Sequence, residues 1–326
     1  LHEVIYLHIE IHTLCNLSAL CELVPPWTEH NFFCLKLYIP NVNTPFKPIV
    51  LAYYDLLKTI NMSDELINYK AKQKTSWGLF TPLELLTTLV APKLIQFSGI
   101  KAHAHILDVG CGTGVTAVTA ARMGARVSAL DLSPALLEKA ELNAQLAQVI
   151  IDFKEGDVEQ LPYPDASFDT VLSQFGHMFA PNAQKAIDEM LRVLKPGGVI
   201  AFTTWPTEHF IGQLFALISK YNPLPHHIDL PEKWGEPDYI KYRLGNRITN
   251  GCFDYGIMHV PTMSLGHYLN SIEKNLSPVA NLAQRFGSDS CEMNNFRNEV
   301  RNIAEIYYHD NILHQAYIMY RAAKLT

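Results

Sequence analysis

The chain has no cluster of basic residues, no paired-cysteine motif and no long apolar run, and each absence removes a class of function. Its 26 Lys and Arg are outnumbered by 32 Asp and Glu, giving a net charge of −6, and the cations are scattered. Binding to a phosphate backbone needs clustered cations, so a nucleic-acid partner is not expected. Six cysteines, at Cys15, Cys21, Cys34, Cys111, Cys252 and Cys291, form no C-x-x-C and have no matching histidine spacing. Neither a metal site nor a disulfide framework is therefore expected, and a reducing cytoplasm is the simple reading. No run of eighteen uncharged apolar residues is present, so no transmembrane segment is expected. The N-terminal residues lack the layout of a signal peptide. There is no internal repeat and no low-complexity segment. What is present is apolar material: 48% of 326 residues, ample for a core in one large domain or in one domain with an appendage.

The chain is organised around Ile106-Leu107-Asp108-Val109-Gly110-Cys111-Gly112-Thr113-Gly114. Residues 104–109 are apolar apart from His105 and Asp108, which predicts a strand covered on both faces. Gly110, Gly112 and Gly114 remove three side chains where the backbone must turn and let a ligand approach. A helix is expected from about Val115, packed through Ala117, Ala120 and Ala121 and stopped at Gly124. A second strand, Arg126 to Asp131, ends in an acid about twenty residues beyond the glycines. A carboxylate at that place can accept from both hydroxyls of an adenosine ribose.

Two details separate the possible adenosine cofactors. The pattern is G-x-G-x-G, and Val115 stands where a dinucleotide fingerprint wants its third glycine. Asp108 also precedes the turn, where an acid repels a pyrophosphate and attracts an ammonium or sulfonium. S-adenosylmethionine fits this arrangement, and NAD fits it poorly.

These residues resemble the class I S-adenosylmethionine-dependent methyltransferases. The resemblance runs in order from about Trp77 to the C-terminus through LDVGCGTG (107–114), ALDLSP (129–134), EGDVEQLPYPDASFD (155–169), VLSQFGHMFAP (171–181) and RVLKPGGVIAFTTW (192–205). It is strongest to the subgroup related to ubiquinone- and menaquinone-biosynthesis methyltransferases. The resemblance implies an α/β fold, a doubly wound seven-stranded mostly parallel sheet with helices on both faces. It implies that Asp108, Gly110, Gly112 and Gly114 hold the methionine end, with Cys111 and Thr113 in the same turn. It implies that Asp131, with Leu132, takes the ribose, that Asp157 and Val158 read the adenine, and that Gln174 closes the crevice floor. Trp77 becomes a candidate lid residue.

The remaining chain divides into four expected segments. Residues 1–50, rich in His, Cys, Phe and Tyr and broken by prolines, form an extension without a family pattern. Residues 51–100 carry N-terminal helices and a lid, with Tyr53, Leu56, Leu57 and Ile60 on one helical face. There Thr81-Pro82-Leu83-Glu84 reads as a capping box, and Pro92 should interrupt the helix that follows. Residues 101–205 are the cofactor core, with further strands at 149–154, 168–173 and 199–204. Ser133 and Asn182 are the expected N-caps, and Ala183, Ala186, Ile187, Met190, Leu191 and Leu194 form one apolar stripe. Residues 206–326 hold a helix at 209–220, an insert at 222–246, strands at 252–260 and 313–321 and helices at 264–275 and 294–308. The last strand is expected to be antiparallel.

Methyl transfer is an in-line displacement at an activated carbon, so alignment carries most of the demand on the protein. A base is needed only if the acceptor must lose a proton. His177 is the best-placed catalytic candidate by its ordinary pKa, and a pocket-lining or surface role is the alternative. His209 is a second candidate. His226-His227 has no third ligand near it in sequence and reads as a solvated pair. Cys111 reads as a small packing residue. Phe175, Met178, Phe179, Trp205 and Phe210 are candidates to line an apolar acceptor site, each with a core role as the alternative. The expected partner is a small-molecule methyl acceptor. The competing readings are a non-catalytic cofactor- or partner-binding module, an RNA methyltransferase and a nicotinamide oxidoreductase.

Overall fold

The structure, a computed structural model, describes residues 64–326. The extension expected over residues 1–50 and the helical face of Tyr53, Leu56, Leu57 and Ile60 lie outside the described residues. Alternating strands and helices build one central sheet from β1 (His105–Val109), β2 (Arg126–Asp131), β3 (Ile151–Glu155), β4 (Phe168–Gln174), β5 (Leu194–Thr204), β6 (Ile248–Pro261), β7 (Tyr308–His309) and β8 (Ile312–Lys324). The order is β3-β2-β1-β4-β5-β8-β6, and the two-residue β7 pairs only with β8. β1 to β5 are parallel, while β8 runs antiparallel to both β5 and β6. Seven strands thus form the main sheet, and one of them is reversed.

Burial explains the order. After His105 every residue of β1 is buried, and β4 is buried throughout except at Asp169, as two-faced coverage requires. β3, at the edge, is mostly exposed or half-buried. Among the described residues the helices are α1 (residues 64–76), α2 (Glu84–Thr88), α3 (Ala91–Ser98), α4 (Val115–Arg122), α5 (Pro134–Leu146), α6 (Ala183–Val193), α7 (Phe210–Tyr221), α8 (Pro237–Leu244), α9 (Leu265–Asn275), α10 (Ser277–Phe286) and α11 (Cys291–Ile306). In α6 the stripe Ala183, Ala186, Ile187, Met190 and Leu191 is buried as its helical spacing requires. The chain winds outward from β1 to β3 and then crosses back to β4. The tips of β1 and β4 therefore bound the crevice where the winding reverses.

Several local expectations are corrected. The capping box at Thr81–Glu84 does not form. Residues Trp77–Leu83 are a 3-10 turn, Thr81 Oγ1 donates to the Gly78 carbonyl at 3.2 Å, and Glu84 accepts from Asn143 instead. Pro92 does interrupt the helix, standing near the start of α3 after the break at residues 89–90. Ser133 occupies the N-cap of α5, but its hydroxyl makes no cap hydrogen bond; its backbone N–H donates to Asp131 Oδ1 instead. β5 begins at Leu194, so Lys195–Gly198 belongs to the strand and a register shift between Phe168 and Thr170 absorbs it. Two helices, α8 and α10, stand where none was expected, and α11 begins at Cys291.

Among the described residues, no single helix is long and apolar enough to cross a membrane.

The cap of α6 gives a direct check on this framework. Asn182 Oδ1 accepts from the Lys185 N–H at 2.9 Å. Asn182→Ala should lower unfolding free energy by about 1 kcal/mol, read by urea denaturation, with S-adenosylhomocysteine binding unchanged.

Candidate active site

The turn after β1 is shaped by two backbone facts. At Gly110 (φ +63°) an added Cβ would lie 2.9 Å from Gly176 Cα, and one on Gly176 would lie 2.5 Å from the Gly110 oxygen. The tips of β1 and β4 therefore touch through bare backbone. At Gly112 (φ +55°) an added Cβ would meet nothing within 4 Å, and the residue lines an open cleft.

Carboxylates line one half of it. Asp131, at the end of β2, is pinned across the turn: Oδ2 accepts from the Gly112 N–H at 2.8 Å and Oδ1 from the Ser133 N–H at 2.8 Å. Burial raises its pKa, and those backbone donors oppose the rise. Asp108 differs. It is 1% exposed, lines the cleft, and neither carboxylate oxygen has a hydrogen-bond partner. Burial raises its pKa to about 8, against the lowering effect of the nearby Ala117 backbone N–H and with a smaller push from Asp131. Cys111 donates its N–H to the Leu130 carbonyl at 3.0 Å, and burial first, then the two acids, pushes its thiol well up. It is a buried, protonated packing group.

Asp157 follows β3 and lines the cleft with Gly156 and Val158. Its Oδ2 pairs with Lys70 Nζ at 2.6 Å, and the same ammonium reaches buried Glu159 at 2.6 Å. Asp157 Oδ1 accepts from the Glu159 N–H at 2.9 Å. Gln174, at the tip of β4, joins three elements: its Oε1 accepts from Thr116 at 2.6 Å and its Nε2 donates to the Thr87 carbonyl at 2.5 Å. Thr113 and Leu132 complete this half.

The other half is apolar. Phe175 follows β4 in the left-handed region (φ +60°), uncommon for a non-glycine residue, and stacks on Trp205 at 3.8 Å and 6°. Trp77 lies 4.6 Å from Phe179, and all four rings line the cleft. The lining thus brings Asp108, Asp131, Asp157, Gln174, Phe175 and Trp205 together, as their places at the strand tips predict.

Four candidates are corrected. His177 is fully buried behind the cleft, its ring 4.4 Å from Phe202 and 4.5 Å from Trp234, with neither nitrogen hydrogen-bonded. Burial lowers its pKa to about 3, so it is neutral and faces no acceptor. Met178 and Phe210 are core, at 1% and 0% exposure, and do not line the cleft. His209 stands at the N-terminal end of α7 without a capping side-chain bond, faces Tyr307 at 5.5 Å, and is not part of the lining. His227 lies 3.7 Å from Glu65, and among the described residues no His, Cys, Asp or Glu cluster could hold a metal. Sequence reasoning missed Lys70 and Gln73 on α1, Gly176, Phe215 on α7, Tyr268 and Ile272 on α9, and Gln315 on β8. Gly176 carried a readable signal, a glycine directly after a strand tip. Tyr268 and Gln315 carried none, because only the tertiary fold brings them together.

Comparison with known proteins agrees with this geometry. Residues 107–202 match the methyltransferase domain family. An uncharacterized protein of Mycobacterium tuberculosis is 31% identical over 260 residues, covering 78% of this chain and 94% of that one. Malonyl-[acyl-carrier protein] O-methyltransferase of Serratia marcescens is 35% identical over 127 residues, 39% of this chain and 48% of that protein. A Bacillus halodurans structure described as a methyltransferase superposes with a TM-score of 0.50 at 20% identity, covering 72% of this chain and 99% of that one, a likeness of fold. The chain belongs to the class I S-adenosylmethionine-dependent methyltransferases. Its cofactor is S-adenosylmethionine, and the residues present fit that group: an unpartnered buried acid, an open glycine face and a pinned carboxylate share one cleft.

Two predictions follow from these contacts. Gly112→Ala places a methyl in open space at a strained φ. It should fold with about 1–2 kcal/mol lost yet bind S-adenosylhomocysteine at least tenfold more weakly. Gly110→Ala and Gly176→Ala force backbone apart and should lose more stability than Gly112→Ala in the same thermal melts. The second concerns pH. Asp108 ionises more readily unfolded than folded, so its contribution to stability is full below about pH 4 and is lost as pH rises towards 8. A cation beside it favours the ionised form, so ligand binding releases a proton below pH 8. Affinity of the wild type relative to Asp108→Asn should rise between about pH 5 and pH 8, with proton release in calorimetry across two buffers. A flat ratio removes the cation-facing role of Asp108.

Proposed function

We propose that the protein moves a methyl group from S-adenosylmethionine to a small, largely apolar molecule by in-line displacement. The observation that carries the reading is the order of the strand tips around one cleft: Asp108, Asp131 and Asp157 stand at the ends of β1, β2 and β3, and Phe175 and Trp205 follow β4 and β5. When bound, S-adenosylmethionine supplies a methyl group already activated on a positive sulfur. Asp108 receives the cationic methionine end, and Gly110, Cys111, Gly112, Thr113 and Gly114 wrap it with backbone. Asp131 and Leu132 hold the ribose. Asp157 and Val158 read the adenine, and Lys70 keeps the Asp157 carboxylate in place from α1. Gln174 ties the floor to α2. Trp77 and Phe179 close over the top.

Phe175 and Trp205 present a fixed aromatic wall. Aromatic faces attract a positive centre without adding a nucleophile that competes for the methyl group. Holding two reactants aligned supplies roughly 7–11 kcal/mol of a barrier in favourable cases, and exclusion of water protects the transfer. Among the described residues no histidine lines the cleft, so these residues offer no imidazole base to the acceptor. The reading therefore favours an acceptor that is nucleophilic at neutral pH or that loses its proton to solvent.

Asp131→Ala should weaken S-adenosylhomocysteine binding at least tenfold while the thermal melt stays cooperative. Methyl-labelled cofactor incubated with a fractionated cell extract should put label into small molecules. Label confined to RNA or protein overturns the reading.

A further inference from the structure

The apolar half of the cleft contains one polar feature that the transfer chemistry above does not use. Tyr268 on α9 and Gln315 on β8 are 6% and 1% exposed, and both line the cleft. Gln315 Nε2 donates to the Tyr268 hydroxyl oxygen at 2.5 Å, joining side chains 47 residues apart. The bond leaves the tyrosine proton, the second amide hydrogen and the Gln315 carbonyl uncommitted, and neither side chain makes another hydrogen bond. Exchanging the amide oxygen and nitrogen changes only which donor is spare: the hydroxyl then donates to Oε1 and the amide NH2 is free. Burial keeps the Tyr268 phenol protonated across the physiological range. A buried donor left unmade is costly, which points to a ligand atom that accepts from it.

The surroundings restrict that ligand. The cleft lining that the pair shares includes the apolar side chains Phe215, Ile211, Ile272, Leu276 and Trp205. The charged side chains on the lining are Lys70, Asp108, Asp131 and Asp157, all in the cofactor half, and Lys70 is committed to Asp157 and Glu159. The amide nitrogens of Gln73 and Gln174 are likewise committed, to Tyr69 and the Phe179 carbonyl and to the Thr87 carbonyl. No cation is available among these lining residues for a carboxylate or phosphate.

We propose that Tyr268 and Gln315 anchor one hydroxyl or carbonyl oxygen of the acceptor, so that the substrate is an uncharged, mostly apolar molecule oriented by that single oxygen. The proposal rests on the small-molecule reading above. The pair sets specificity and orientation and takes no proton in the transfer. A site built to hydrogen-bond a substrate oxygen rejects the analogue lacking it far more strongly than an apolar pocket rejects an extra methylene.

The test uses the full chain saturated with S-adenosylhomocysteine and three probes: naphthalene, 2-naphthol and 2-naphthoate, with affinities from calorimetry or fluorescence competition. The wild type should bind 2-naphthol at least tenfold more tightly than naphthalene, and 2-naphthoate more weakly than 2-naphthol. Tyr268→Phe combined with Gln315→Leu should erase the 2-naphthol preference while S-adenosylhomocysteine affinity stays within about threefold. Tyr268→Phe alone gives the same reading where the double variant does not fold, and the wild-type ratio decides where neither does. Equal binding of naphthalene and 2-naphthol, no binding of either neutral probe, or a preference that survives the double substitution overturns the proposal. Label transfer to macromolecules with the probe ratio intact counts against the small-molecule reading instead, so the two failures are distinguishable.

Discussion

Asp108 holds a carboxyl group in a buried position with no side-chain partner and only the Ala117 backbone N–H close by, and the cleft opens beside it. Burial alone favours its neutral form, and a positively charged ligand group favours its ionised form. The acid sits at the end of the central strand β1, where flanking strands remove water from both sides. Its neighbour Asp131 is satisfied by two backbone donors and so contributes geometry more than unmet demand. One carboxylate is thus pre-positioned and the other is waiting for charge. That asymmetry suits a ligand with a cationic end and a pair of hydroxyls.

The parallel sheet makes this arrangement possible. Reversal of the winding between β1 and β4 leaves their tips side by side, and Gly110 and Gly176 let the backbones meet. From that contact the cofactor acids fall on the β1–β3 side, while Phe175 and Trp205 end β4 and β5 on the other. The stack at 3.8 Å holds Phe175 in its uncommon backbone conformation. Strain of that kind costs roughly 1–3 kcal/mol and persists where surrounding packing fixes it. Here it fixes an aromatic wall at the junction of the two halves.

The glycine turn and the acids at the strand tips were legible because their information is local. LDVGCGTG and the acid ending β2 each fit within a few residues, and glycine spacing reports backbone geometry directly. The parallel, doubly wound sheet followed from alternating elements. The acceptor half was not legible, because it assembles α1, α7, α9 and β8 from across the chain, and nothing in the neighbourhood of Gln315 announces Tyr268. His177 misled for a related reason. Its position beside a strand tip and its ordinary pKa both suggested a base, but rotation of the 3-10 turn His177–Phe179 buries the ring against Phe202 and Trp234. The α10 helix was passed over although Val279 and Leu282 stand at helical spacing after Ser277-Pro278, a signal too short to read without its packing partners.

The central claim is that one cleft holds a cationic adenosine cofactor by two acids of opposite temperament. A crystal structure of the chain with S-adenosylhomocysteine tests it most directly. The account predicts the ammonium end of the homocysteine beside Asp108 and the ribose hydroxyls on Asp131, with Gly112 in van der Waals contact. Density for the ligand outside this cleft, or a ribose bound away from Asp131, contradicts it.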